Sequence, residues 1–156
     1  MALFHATTRE YAAGDVVMAS EQSSFYPLAV PALEAARPAG SPSRATCVFA
    51  TDDINFAYLF AIKQNWPRDQ IHLYEVAMDQ FHRSPMAIVH AAQRRLEQSG
   101  SVDALVAEYW NTTMAWKYYE CFGPQMTVVG AVGAPTINEL IMGFEYQNDA
   151  ARASRM

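Results

Sequence analysis

The chain has 156 residues, of which 51% are apolar and 17% charged. It is therefore long enough to bury a two-layer core without disulfides or metals, and too apolar to stay disordered. Its formal net charge of -5 repels phosphate backbones and puts nucleic-acid binding at a disadvantage. No apolar run approaches the length of a membrane span, and residues 1–8 carry no basic region followed by an apolar stretch. The expectation is a single cytoplasmic domain with no membrane partner, although delivery by a specialised injection system leaves no mark legible in composition.

Taken in chain order, residues 3–7 and 15–19 read as short strands, the second following the turn signal Gly14-Asp15. Over residues 28–37 the apolar Leu28, Ala32, Leu33 and Ala36 recur at helical spacing, with Pro27 and Pro31 near the first turn and Pro38 as the stop. A turn-rich stretch leads into residues 45–51, a β-prone run expected to be a central strand. Thr51 and Asp52 then suit a helix N-cap, with Ile54, Ala57, Tyr58, Ala61 and Ile62 on one face.

Residues 71–77 alternate as a half-buried strand does. Ser84-Pro85 is expected to open a helix bearing Met86, Ile88, Val89, Ala92 and Leu96 and ending at Ser99-Gly100, with a shorter helix over residues 103–110. The basic pair Arg94-Arg95 reads as that helix's solvated face. Residues 125–132 are the most strand-like segment and are expected near a sheet centre. One more helix over residues 136–143 would close a domain spanning 1–147, leaving residues 148–156 as a frayed tail.

Several chemistries are disfavoured. The glycines are scattered singly, without the spacing of a dinucleotide fingerprint or a P-loop. His5, His72, His82 and His90 show neither helical pair spacing nor companion cysteines, so no metal site is expected. Cys47 and Cys121 lie among apolar and aromatic neighbours and read as buried, reduced thiols.

Three pieces carry a positive signal: Leu3-Phe-His-Ala-Thr-Thr8 at the start, Pro42-Ser-Arg-Ala-Thr-Cys-Val-Phe-Ala-Thr51 in the middle, and Tyr118-Tyr-Glu-Cys-Phe122 late. In that order the chain resembles the ADP-ribosyltransferase superfamily, notably rifampin ADP-ribosyltransferases, RNA 2'-phosphotransferases and small bacterial relatives. The block from Ala45 to Val76 is similar to the second motif of that group. The resemblance implies an α+β fold built on a split, twisted sheet with flanking helices. It also implies a bacterial or phage enzyme of the toxin or effector kind, which uses NAD as substrate and passes its ADP-ribose to an acceptor.

Under that resemblance Glu120 is the catalytic carboxylate, since breaking the nicotinamide–ribose bond passes through an oxocarbenium-like state that a carboxylate stabilises. His5 would bond the ribose hydroxyls, Arg44 the pyrophosphate, and Phe49 and Thr51, on one strand face, would meet the nicotinamide half, with Thr7 adding a polar contact. Each residue has a plainer reading: a surface glutamate at a loop or strand edge, a core histidine, an arginine closing a loop, a core phenylalanine, and threonines at strand ends.

Tyr118 stands where arginine-modifying members carry Glu or Gln, which argues against arginine as acceptor. Glu108 is an alternative to Glu120 for the late acid. A protein or small-molecule acceptor is expected before a nucleic acid. The competing readings are a relative that kept the fold as an inactive binding module, and a phosphotransferase acting on RNA, which the acidic balance opposes.

Overall fold

The computed structural model describes residues 1–19 and 26–156. The strands are β1 (Leu3–Thr7), β2 (Val16–Met18), β3 (Val48–Ala50), β4 (His72–Ala77), β5 (His82–Pro85), β6 (Tyr119–Gly123) and β7 (Gln125–Val132). The amphipathic segments supply helices α1 (Ala29–Ala35), α2 (Ile54–Lys63), α3 (Met86–Glu97), α4 (Asp103–Trp110) and α5 (Glu139–Ser154). The fold is α+β, with two antiparallel sheets: four strands in the order β1-β4-β7-β2 and three in the order β3-β6-β5.

Among the described residues the two sheets are joined by a backbone bridge between Phe4 and Thr51. Phe4 N donates to Thr51 O at 2.7 Å and Thr51 N to Phe4 O at 2.9 Å, tying β1 to the residue just after β3. Between the sheets lies a core of Leu3, Val48, Tyr74, Val76, Cys121, Met126 and Val128. Helices α1, α3 and α4 cover the other side of the smaller sheet, closing a second core around Leu33, Ile88, Leu105, Tyr109 and Phe122. Helix α2 packs Ala57 and Tyr58 against Leu73 of β4, with Ile54 and Ile62 alongside, which is the face read from the sequence.

Strand β7, the most strand-like segment, lies inside its sheet, paired on both sides, as expected. Residues 45–51 do not form a central strand. Residues Arg44–Thr46 make a 3-10 turn, with Ser43 Oγ accepting from Ala45 N, and only Val48–Ala50 continue as β3, at an edge of the smaller sheet. The centre of that sheet is β6, buried at every position. Glu120 is therefore mid-strand and buried, not at a loop or exposed edge.

Residues 82–85 pair as β5 against β6, and the helix begins only at Met86. Pro85 lacks an N–H for further ladder pairing, and its fixed φ suits it to end the strand and precede the helix. Asp53, rather than Thr51 or Asp52, caps α2, its Oδ1 accepting from Asn55 N and Phe56 N. Both cysteines are buried.

The expected frayed tail is helical instead: α5 runs to Ser154. Asp149 faces inward and accepts from Lys117 N and Tyr118 N, and Ala153 is fully buried. Arg95, read as solvated, donates to Met156 O at 2.6 Å and Ser154 O at 3.0 Å, so it satisfies carbonyls that the helix end leaves open.

Candidate functional site

A cleft of about 680 Å³ opens beside the junction of the sheets. His5 reaches it from β1, Phe49 from β3, Thr51 from the junction itself, Arg44 from the 3-10 turn and Glu120 from β6. Tyr26, Phe56, Phe60 and Tyr119 supply aromatic walls, and His90 and Gln64 add polar groups. The lining is mainly apolar with a few convergent polar side chains, the composition of a small-molecule site.

At the centre is a buried ion pair. Arg44 Nε donates to Glu120 Oε1 at 3.1 Å and its Nη2 to Oε2 at 3.2 Å, a fork in which both side chains are below one-tenth exposed. Tyr109, from α4, donates its hydroxyl to Glu120 Oε1 at 2.5 Å. The guanidinium also lies 4.9 Å from the Phe49 ring centroid and 5.7 Å from that of Tyr26. Glu34 Oε1 fixes the start of the turn by accepting from Arg44 N at 2.8 Å.

These contacts set the protonation states. Burial alone would lower the Arg44 pKa, but the adjacent Glu120 and Tyr109 outweigh it and raise it, so the guanidinium stays charged. Burial and then Glu120 push the Tyr109 phenol well above its ordinary value, so it remains a donor. Burial depresses the His5 pKa and wins over the bond to Phe49 O. His5 is thus neutral at physiological pH, with Nδ1–H donating to Phe49 O at 2.6 Å and Nε2 left as an acceptor. Burial raises Cys47 to about 11 and Cys121 to about 12, so neither thiol is a nucleophile at neutral pH.

Of the residues named from the sequence, His5, Arg44, Phe49, Thr51 and Glu120 come together around this cleft. Thr7 is not among its described lining; it sits at the far end of β1, where its Oγ1 accepts from Arg9 N at 3.1 Å. Glu108 is also elsewhere. Its carboxylate accepts from Thr113 N, Thr113 Oγ1, Met114 N and Trp116 Nε1, so it organises the segment between α4 and β6.

Tyr26, His90, Tyr109 and Tyr119 are not among the site residues expected from the sequence. A buried tyrosine hydroxyl needs a partner, but nothing in residue order indicates that the partner of Tyr109 is Glu120. Tyr119 is held from behind: the Arg83 guanidinium lies 3.4 Å from its ring centroid and is itself paired to Asp52 at 2.8 Å.

Among the described residues no cluster of His, Cys, Asp and Glu suits a metal ion, and no helix is long and apolar enough to cross a membrane. No protein-family model and no curated protein matches the chain. The cleft itself offers a held carboxylate, a fixed cation, a neutral imidazole acceptor and aromatic faces for planar rings.

Proposed function

We propose that the cleft binds NAD and that the protein transfers ADP-ribose from it to an acceptor, a protein side chain or a small molecule rather than a nucleic acid. One observation carries this reading. His5, Arg44, Phe49, Thr51 and Glu120, drawn from separate motifs, line a single cleft beside the junction of two antiparallel sheets. A split pair of sheets is also what the ADP-ribosyltransferase resemblance implies.

In the reaction the bond between C1' of the ribose and the nicotinamide nitrogen breaks, and its electron pair leaves with nicotinamide. A lone pair of the acceptor then bonds to C1', and the acceptor loses a proton to solvent or to a base. Glu120 is the carboxylate that stabilises the positive charge developing on the ribose, and Tyr109 fixes its orientation. His5 Nε2 accepts from a ribose hydroxyl, and Phe49 and the tyrosines stack against the rings.

The same geometry gives substance to a second reading. Both oxygens of Glu120 are already engaged by Arg44 and Tyr109, an arrangement that also suits an inactive binding module. The two are separated by titrating NAD calorimetrically into the wild type, His5→Ala and Glu120→Ala, and by following nicotinamide release. Binding weakened by His5→Ala, with release that collapses in Glu120→Ala, is the expected result. Binding without release favours the module, and no binding at millimolar NAD rejects the proposal.

A further inference from the structure

Arg44 and Glu120 are the only Arg, Lys, Asp or Glu side chains among the described residues lining the cleft. They neutralise each other through the fork. A cleft so arranged offers little net attraction to a ligand bearing charge of one sign, because an anion meets a cation that already holds a carboxylate. Opening the pair for one partner alone leaves the other charge buried and unmatched, the costly way of breaking a buried ion pair. Opening it for a ligand that carries both signs leaves neither unmatched.

We infer that the Arg44–Glu120 pair opens when ligand binds and that the ligand's own charges replace it: a phosphate moves onto Arg44, and a fixed cation is met by Glu120. The inference rests on the NAD reading of the cleft and deepens it. Oxidised NAD carries a pyrophosphate and a pyridinium; the reduced dinucleotide keeps the pyrophosphate but has no cation. The pair therefore selects the oxidised form, and a phosphate is needed before Glu120 is released toward the ribose. Tyr109 retains its hold on the carboxylate through the exchange, and Phe49 and Tyr26 flank the guanidinium as it changes partner.

The test is a set of calorimetric titrations with NAD, NADH, ADP and nicotinamide riboside, on the wild type and Glu120→Gln. The wild type is expected to bind NAD roughly tenfold or more tightly than NADH, ADP or nicotinamide riboside. In Glu120→Gln the preference for NAD over NADH should shrink to about threefold or less, and ADP should bind roughly tenfold more tightly because Arg44 no longer has a competing carboxylate.

Equal wild-type affinity for NAD and NADH overturns the inference, as does an undiminished preference in a Glu120→Gln protein that still melts cooperatively. If that variant does not fold, a wild-type crystal structure with NAD decides: Arg44 on phosphate and beyond hydrogen-bonding reach of Glu120 supports the exchange, and a fork still closed refutes it. Nicotinamide release is scored separately. Release without the NAD preference sinks the exchange alone; the preference without release sinks the catalytic reading alone.

Discussion

Glu108, the alternative for the late acid, lies away from the cleft and does structural work. It was a candidate for catalysis, yet its carboxylate is committed to Thr113, Met114 and Trp116. Burial would raise its pKa, but these donors prevail and lower it. The stabilisation it provides is thus fully present above the ordinary glutamate value of about 4.3 and fades as pH falls through the lower folded value. Glu108→Ala leaves the buried Trp116 Nε1 and the part-buried Thr113 and Met114 donors without their acceptor and should cost about 3 kcal/mol. Urea titration followed by tryptophan fluorescence checks it, and a loss under about 1 kcal/mol contradicts the role.

His5 gives a pH dependence of the same sign, in affinity rather than in stability. Its depressed pKa keeps it neutral, so Nε2 accepts down to pH values below the ordinary imidazole value of about 6.5. Affinity for NAD should be flat from neutral pH to that value, then weaken as pH drops through the folded pKa and Nε2 gains a proton. Calorimetry across this range checks it; an affinity that rises on acidification counts against His5 as an acceptor. At this scale the sequence named a histidine, an arginine and a glutamate that the structure brings to one cleft. It missed Tyr109, whose part depends on a buried hydroxyl meeting a strand that follows in the chain.

Among the elements, β6 was the least legible. Its run Tyr-Glu-Cys-Phe-Gly is buried throughout, so the alternation that betrays a half-exposed strand is missing. Strand β5 was hidden for another reason: His-Arg-Ser-Pro has little β propensity and is ordered by pairing with β6. At the end of β6, a Cβ on Gly123 would lie 2.2 Å from Gln80 O, a backbone atom with little freedom to retreat. Gly123→Ala should therefore cost roughly 2 kcal/mol or more. Chemical denaturation tests this, and a neutral substitution means that the approach is looser than described.

Helix α5 was cut short in the sequence reading because residues 148–156 are polar and alanine-rich. Those features instead serve inward contacts: Asp149 receives backbone N–H groups ahead of β6, Ala153 fits a tight gap, and Arg152 donates to Ala115 O. Removing residues 148–156 should lower the melting temperature by roughly 5 °C or more. Had the segment been frayed, the truncation would leave melting unchanged. Either result is read directly by calorimetry.

At the scale of the molecule, the α+β class, the helices α1 to α4 and the two strands central to the larger sheet were legible, because each is written in local periodicity. The division into two sheets was expected only through the resemblance. It depends on long-range pairing, such as β1 with β4 and β3 with β6, which no window of sequence contains. The cleft follows from that division, since it lies where the sheets join and not within any one motif.

The reciprocal bonds between Phe4 and Thr51 sit at that join, and each contributes an amide proton next to the ligand space. Any parting of the sheets must break them, so the rate at which these protons trade with deuterium times how often the halves separate. A ligand bridging His5 on one sheet and Glu120 on the other would slow both amides together, while leaving the interior of β7 at its own pace. The molecule thus carries its own reporter of occupancy, readable without an attached probe or substrate turnover.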